Sequence, residues 1–136
     1  MQSHKEVERT MTDKPILVPG LDHPITIAKA TRRVVATAGG RTIADSAHAL
    51  TLEEKDYPVV HYIPRADVNL SAPEGTDHET YCPYEGVARY FSIGTDGIVL
   101  DNVVWTYEDP HPAVAQIKDH VAFYTDQVNI TVSAAD

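Results

Sequence analysis

Short runs of β-branched residues, broken by glycine or proline, constrain most strongly how this chain can fold. Residues 25–27, 33–38 and 41–45 are such runs, and β-branched side chains favour strands. Gly39 and Gly40 separate the second run from the third, and two adjacent glycines can adopt the positive φ angles of a two-residue hairpin turn. The sequence therefore predicts a β-hairpin over residues 33–45.

Strand patterns continue towards the C-terminus. A strand framed by prolines is predicted at residues 57–64, a hairpin at 85–93 and 98–107 around the turn residues 94–97, and two final strands at 120–124 and 128–132. Residues 46–50 read as a turn or bulge with Leu50 and Leu52 pointing back to the core. Residues 53–56 read as a charged, solvated corner.

Helical patterns are few. One helical turn is predicted at residues 67–70. A short helix is predicted at 113–118, because Pro112 suits a first helical position and Val114 and Ile117 lie three residues apart on one face. The predicted fold class is therefore mainly β, with antiparallel sheets and one or two short helices.

The N-terminal part divides into two segments. Residues 1–14 are polar and mixed in charge, so they predict a flexible tail. Residues 15–24 contain three prolines, which neither continue a helix nor donate to a sheet, so this segment is expected to lie extended over the core. The remaining chain, residues 15–136, has the size of one domain with a single core.

The net charge and composition of the chain limit which classes of partner are expected. A net charge of -9 would be repelled by nucleic-acid backbones and anionic membranes, so neither is an expected partner. No apolar run approaches the ~20 residues that span a bilayer, and the N-terminus lacks the apolar region of a secretory signal. One cysteine cannot form an intramolecular disulfide, which fits a reducing compartment. We therefore expect a cytoplasmic protein, and the sequence leaves its oligomeric state open.

Four patches carry a resemblance to a known family. They are Ala44-Asp45-Ser46 with Leu50, Leu52 and Glu54; residues 62–68; residues 80–86 with Ala88 and Tyr90; and Trp105-Thr106-Tyr107 followed by Pro110, Pro112, Ile117 and residues 121–124. In order and spacing they resemble the domain-of-unknown-function 427 family, over roughly residues 24–132.

The resemblance implies a β-tent-like single domain, similar to the folds of methionine sulfoxide reductase B and the Mss4 group. It implies no established activity, although the family is sometimes labelled nucleotidyltransferase-like. The family usually has a lysine after its Cys-Pro-Tyr sequence, whereas this chain has Glu85. Any role that the family gives to that positive charge, such as anion binding, does not carry over to this chain.

Cys82 and Glu54 are the candidate catalytic residues. A reactive thiol needs a nearby base or cation to lower its pKa, and His78 and His61 are the histidines that the sequence could bring near Cys82. The alternative is a small apolar side chain in a β core. The absence of a second cysteine disfavours chemistry of the methionine sulfoxide reductase type. Glu54 lies where the family pattern places an acid, close to Tyr57 and Tyr62.

Motifs for metal and phosphate chemistry are missing from the sequence. The seven histidines have no zinc-type spacing, so no metal and no other cofactor is expected. The sequence contains neither a GxGxxG nor a GxxxxGK[ST] phosphate loop. A Gly-Ser followed by a spaced Asp-x-Asp, which nucleotidyl transfer through two metal ions would need, is also missing.

An aromatic set is the strongest functional signal. Residues on or beside predicted strands could line a cleft for a small molecule: Tyr62, Thr80, Cys82, Tyr84, Arg89, Trp105 and Tyr107. The rival hypothesis is a binding or scaffolding module without chemistry, in which these aromatic side chains are core. Whether the chain catalyses a reaction is open at this stage. A cleft of several hundred Å3 at these residues would favour the first hypothesis, and a filled core the second.

Overall fold

The hairpin predicted at the two glycines is confirmed by the computed structural model, which describes residues 15–70, 75–95 and 97–133. Gly39 and Gly40 have φ angles of 57° and 78°, as a primed turn requires. They connect two of the ten described strands: β1 (Ile25–Lys29), β2 (Val34–Ala38), β3 (Arg41–Ser46), β4 (Leu50–Glu54), β5 (Val60–Pro64), β6 (Glu79–Cys82), β7 (Gly86–Thr95), β8 (Ile98–Tyr107), β9 (His120–Phe123) and β10 (Asn129–Val132).

The strands form two antiparallel sheets. The larger has seven strands in the order β1-β4-β5-β9-β8-β7-β6, and the smaller has three in the order β10-β2-β3. The mainly-β prediction is confirmed, as is the hairpin of β7 and β8. The expected corner at residues 53–56 is wrong in part, because Glu53 and Glu54 are the last residues of β4 and Glu54 is buried. Only Lys55 and Asp56 make the corner, where Asp56 has a φ of 60°.

Both short helices exist as 3-10 helices. The first spans Arg65–Asp67, two residues earlier than predicted, because Val68 pairs with Ala44 as an isolated bridge. The second spans Pro112–Ile117, with Pro112 in its first turn. Val114 and Ile117 are buried on one face of it, as the sequence predicted.

Two clusters of buried side chains lie on opposite faces of the large sheet. The first, here called the apolar core, packs the large sheet against the small one and contains only Val, Ala, Ile and Phe among its buried residues. The second lies on the other face, beneath the second 3-10 helix, and contains Tyr, Trp and Cys side chains besides aliphatic ones. The two faces therefore differ in chemistry.

Residues 15–24, here called the strap, run along the side of the molecule that carries the turn after β6. Their predicted extended course is confirmed, apart from a tight turn in which Gly20 and His23 pair with each other. The tail predicted at residues 1–14 lies outside the described residues. Within the described part of the chain, no helix has the length and apolar character needed to span a membrane.

Candidate functional site

Strand register places most of the predicted site residues on one face of the large sheet. Thr80 pairs with Ala88, and Ala88 pairs with Tyr107. Partners in antiparallel strands point to the same side of the sheet, and alternate residues of one strand share a side. We call this surface the tyrosine face and define it by these residues: Glu54, Tyr62, Thr80, Cys82, Tyr90, Trp105 and Tyr107.

Hydrogen bonds connect the side chains of the tyrosine face. The indole Nε1 of Trp105 donates to the hydroxyl of Tyr62 at 3.2 Å. Thr80 Oγ1 and the hydroxyl of Tyr90 are 2.8 Å apart, and the hydroxyl of Tyr90 is 3.4 Å from that of Tyr124. Buried hydroxyl and indole groups require such partners, so this part of the face is an ordered polar network.

Two carboxylates are buried at the tyrosine face. Glu54, at the end of β4, is 8% exposed, and Glu85, in the turn between β6 and β7, is 2% exposed. The hydroxyl of Tyr107 donates a hydrogen bond to Glu85, so we count Glu85 as a further member of the tyrosine face. The turn is closed by a hydrogen bond of 3.2 Å from the Glu85 amide to the Cys82 carbonyl. Gly86 then has a φ of 118°, which side-chain-bearing residues rarely adopt, and this conformation directs the chain from the turn into β7.

Burial and negative charge determine the protonation of the two central phenols. Burial raises the pKa of Tyr62 and of Tyr107 well above the ordinary value, and the charge of Glu85 raises both further. Glu54 also raises the pKa of Tyr62, whereas the hydrogen bond from Trp105 lowers it. Both phenols are therefore neutral near pH 7, and each keeps its O–H group as a hydrogen-bond donor.

Cys82 is fully buried in the centre of this cluster. The two histidines predicted as activators contact other side chains: the rings of His78 and Tyr90 have centroids 4.4 Å apart, and Nδ1 of His61 is 3.3 Å from Oγ1 of Thr51. His61 also neighbours Tyr62 along β5 and so points to the opposite face. Full burial is more typical of a structural cysteine than of a reactive one, which is usually partly exposed.

The strap covers the turn at one end of the tyrosine face. The Tyr81 hydroxyl donates to the Pro15 carbonyl at 2.6 Å, and the Leu17 amide donates to the Pro83 carbonyl at 3.0 Å. At the other end of the strap, His23 Nε2 lies 2.5 Å from a Glu54 carboxylate oxygen. The imidazole ring also stacks on the ring of Tyr84, with centroids 4.0 Å apart and planes inclined by 6°.

Two predicted site residues lie away from the sheet positions of the tyrosine face. Tyr84 is in the turn after β6, where it contacts the strap. Arg89 alternates with Ala88 and Tyr90 in β7 and points to the opposite side, where it is 3.8 Å from Glu79. Arg89 and Glu79 border a cavity of about 270 Å3 together with Gly86, Val87, Glu108, Asp109 and His111. A cavity of about 350 Å3 beside β3 also lies away from the tyrosine face.

Three residues of the site were not among the predicted ones. The sequence offered a reason to select Glu85, because this residue stands where the family that the chain resembles usually has a lysine. Tyr90 had a weaker signal, its alternation with Ala88 along a predicted strand. His23 had none, because it lies outside the strands and 31 positions from Glu54. Among the described residues, no group of three or more His, Cys, Asp and Glu side chains could hold a metal ion.

Comparison with known proteins gives one match. Residues 26–134 match the family model described as a domain of unknown function, DUF427. A search of curated proteins found no match to the chain.

Proposed function

The chain belongs to the domain-of-unknown-function 427 family, and we propose that its tyrosine face binds a small molecule at the end covered by the strap. The observation that carries the proposal is the contrast between the two clusters. The hydrophobic residues buried in the apolar core are aliphatic side chains and phenylalanine, whereas the tyrosine face contains the chain's only tryptophan, its only cysteine and three buried tyrosines. Of the five buried polar residues described, three lie at the tyrosine face: Glu54, Thr80 and Glu85.

Stability alone does not account for this composition. Burying a carboxylate costs free energy unless hydrogen bonds and charges compensate it, and apolar side chains of similar volume are often equally or more stabilising. The other side of the large sheet buries the hydroxyls of Ser46 and Thr106, which pair with Val34 and Val121, but no carboxylate among the described residues. A sheet face that retains two carboxylates, phenol donors and an indole has the composition of a ligand site, with an apolar body and a few polar groups.

The exposure of the strap supports the proposed entry point for a ligand, at the end of the tyrosine face that the strap covers. Its large side chains face solvent instead of the sheet: Ile16 is 64% exposed, Val18 77% and Leu21 102%. The described contacts of the strap with the turn after β6 are hydrogen bonds and the stacked ring of His23. Because apolar burial contributes little to holding it, the strap can open at lower cost than the sheet, and opening it exposes Tyr84 and Glu54.

A second candidate function is a binding or scaffolding module in which the tyrosine face is only core. The observation in its favour is close packing, which is the filled core expected for this function: Tyr62, Trp105 and Tyr107 are at most 1% exposed, and the two cavities described above lie away from them. Nucleotidyl transfer is not proposed, because the sequence lacks a phosphate loop and two carboxylates at the tyrosine face repel phosphates.

A thermal-shift screen of metabolites separates the first two functions. A ligand at 100 times its Kd adds about 2.7 kcal/mol to the free energy of unfolding, which a melting curve detects readily. A compound that binds the tyrosine face should lose affinity in the Tyr107→Phe variant, and should keep it in the Val104→Ala variant, whose substitution lies in the apolar core. A screen without any stabilising compound, or with compounds that are insensitive to Tyr107→Phe, supports the scaffolding function.

A further inference from the structure

His23 fills a position that resembles a ligand's in a binding site. Its ring lies flat on Tyr84, with centroids 4.0 Å apart, and is 6.4 Å from the ring of Tyr57. One edge of the same ring reaches Glu54, with 2.5 Å between Nε2 and the carboxylate oxygen. A stacked ring and one short, directed hydrogen bond are the two kinds of contact that orient a small planar ligand.

Glu54 is more deeply buried than the His23 side chain that it contacts. The side chain of Glu54 is 4% exposed and that of His23 is 22% exposed. Glu54 belongs to β4 and is fixed by the sheet, whereas His23 belongs to the strap. The rigid side of the contact therefore belongs to the large sheet and the turn after β6, and the movable side is the histidine.

The chemistry of the contact defines what could replace His23. A carboxylate accepts hydrogen bonds, and His23 meets Glu54 with a ring nitrogen, so a group that replaces the imidazole should bring an N–H donor. The face of Tyr84 attracts a flat ring or a cation.

We propose that Glu54 and Tyr84 form a subsite for a planar nitrogen base or amidinium group with an N–H donor, and that His23 occupies this subsite until such a ligand displaces the strap. The proposal rests on the proposed function, since it names the class of ligand for the same site. In the closed state the chain supplies its own imidazole as an internal competitor. A ligand with the matching group gains the contacts of His23 and opens the strap as it binds.

Removal of the imidazole tests the subsite directly. His23→Ala should bind 4-methylimidazole with an affinity in the millimolar range, measured by chemical-shift changes in the resonances of Glu54 and Tyr84. The probe 4-methylthiazole has the same shape but no N–H donor, and should bind about tenfold more weakly or not measurably. His23→Ala combined with Glu54→Gln should lose a similar factor for 4-methylimidazole. His48→Ala, which removes an exposed histidine elsewhere, should not create a site.

The wild-type protein provides a second measurement, which is independent of how well the variants fold. Exchange of the Leu17 amide, which is bonded to the Pro83 carbonyl, should accelerate as 4-methylimidazole displaces the strap. Equal binding of the imidazole and the thiazole, or a Leu17 exchange rate independent of 4-methylimidazole, would overturn the inference. Neither result would affect the proposed function, which fails only if the wild-type metabolite screen yields no ligand of the tyrosine face.

Discussion

The indole of Trp105 donates a hydrogen bond of 3.2 Å to the hydroxyl of Tyr62, across 43 positions of sequence. The two rings meet edge to face, with planes at 88° and centroids 6.4 Å apart. Strand β9 lies between their strands in the sheet, so the two large side chains reach towards each other over its small residue Ala122. This contact joins the two halves of the tyrosine face into one surface.

Tyr62→Phe should reduce the free energy of unfolding by about 1–3 kcal/mol, because it leaves the buried indole N–H of Trp105 without this acceptor. Urea denaturation followed by circular dichroism measures the change. The matched control is Tyr57→Phe, which removes a hydroxyl from a side chain that is 42% exposed and should change stability by less than about 0.5 kcal/mol. Equal effects of the two substitutions would contradict the buried network.

Stability should fall steeply in alkaline solution. Tyr62 and Tyr107 have a pKa raised well above 10.0 by burial, so the unfolded chain releases these protons at a lower pH than the folded chain. The contribution of the two protonated phenols to the free energy of unfolding is complete below about pH 10. Above that pH it is lost, by up to about 1.4 kcal/mol per pH unit for each phenol. Tyr107→Phe removes one of the two phenols, so the free energy of unfolding of this variant should fall less steeply with rising pH. Tyrosinate absorbance of the two phenols that appears before unfolding would contradict their burial.

The fold was predictable where local chemistry dominates. The hairpin at Gly39 and Gly40, the long hairpin of β7 and β8, and the buried pair Val114 and Ile117 follow from turn residues and periodicity. Glu54 was predicted within a charged corner with Glu53, Lys55 and Asp56, and only the resemblance to the family singled it out as a candidate site residue. Its burial depends on pairing with β1 and on His23, neither of which leaves a local signal.

The candidate site was predictable in part for the same reason. Thr80, Cys82, Trp105 and Tyr107 share a face because alternation along each strand can be read from the sequence. Arg89 was predicted at the site, but it alternates with Ala88 and Tyr90 along β7 and therefore points to the other side of the sheet. Contacts of the strap with the turn after β6 join segments more than 60 positions apart, as the bond between Tyr81 and Pro15 illustrates.

Cys82 should resist alkylation in the folded protein, since its side chain is fully buried. Native-state labelling should be on the order of 10³-fold slower than labelling in denaturant, because it requires an opening of the sheet or strap. Mass spectrometry after timed exposure to iodoacetamide measures both rates. Labelling at neutral pH as fast as that of the unfolded chain would restore a reactive-thiol function.

Tyr81→Phe should loosen the strap without unfolding the sheet. The substitution removes the hydroxyl that donates to the Pro15 carbonyl, a loss of about 1 kcal/mol for one hydrogen bond. Hydrogen exchange of the Leu17 amide should then accelerate about fivefold. The Lys118 amide, bonded to Ala115 in the second 3-10 helix, serves as an internal control and should exchange at an unchanged rate. Equal acceleration at both amides would mean that the whole domain is destabilised.

Trp105 offers the most direct measurement of the central claim, that the tyrosine face is a ligand site. It is the chain's single tryptophan, is 1% exposed and contacts Tyr62 and Tyr124. Its fluorescence should be recorded while a panel of metabolites is titrated into the wild-type protein. The account predicts that at least one compound changes the emission with saturation and raises the melting temperature, and that Tyr107→Phe weakens both responses. An emission that stays constant throughout the panel, in a protein with an unchanged melting temperature, would contradict it.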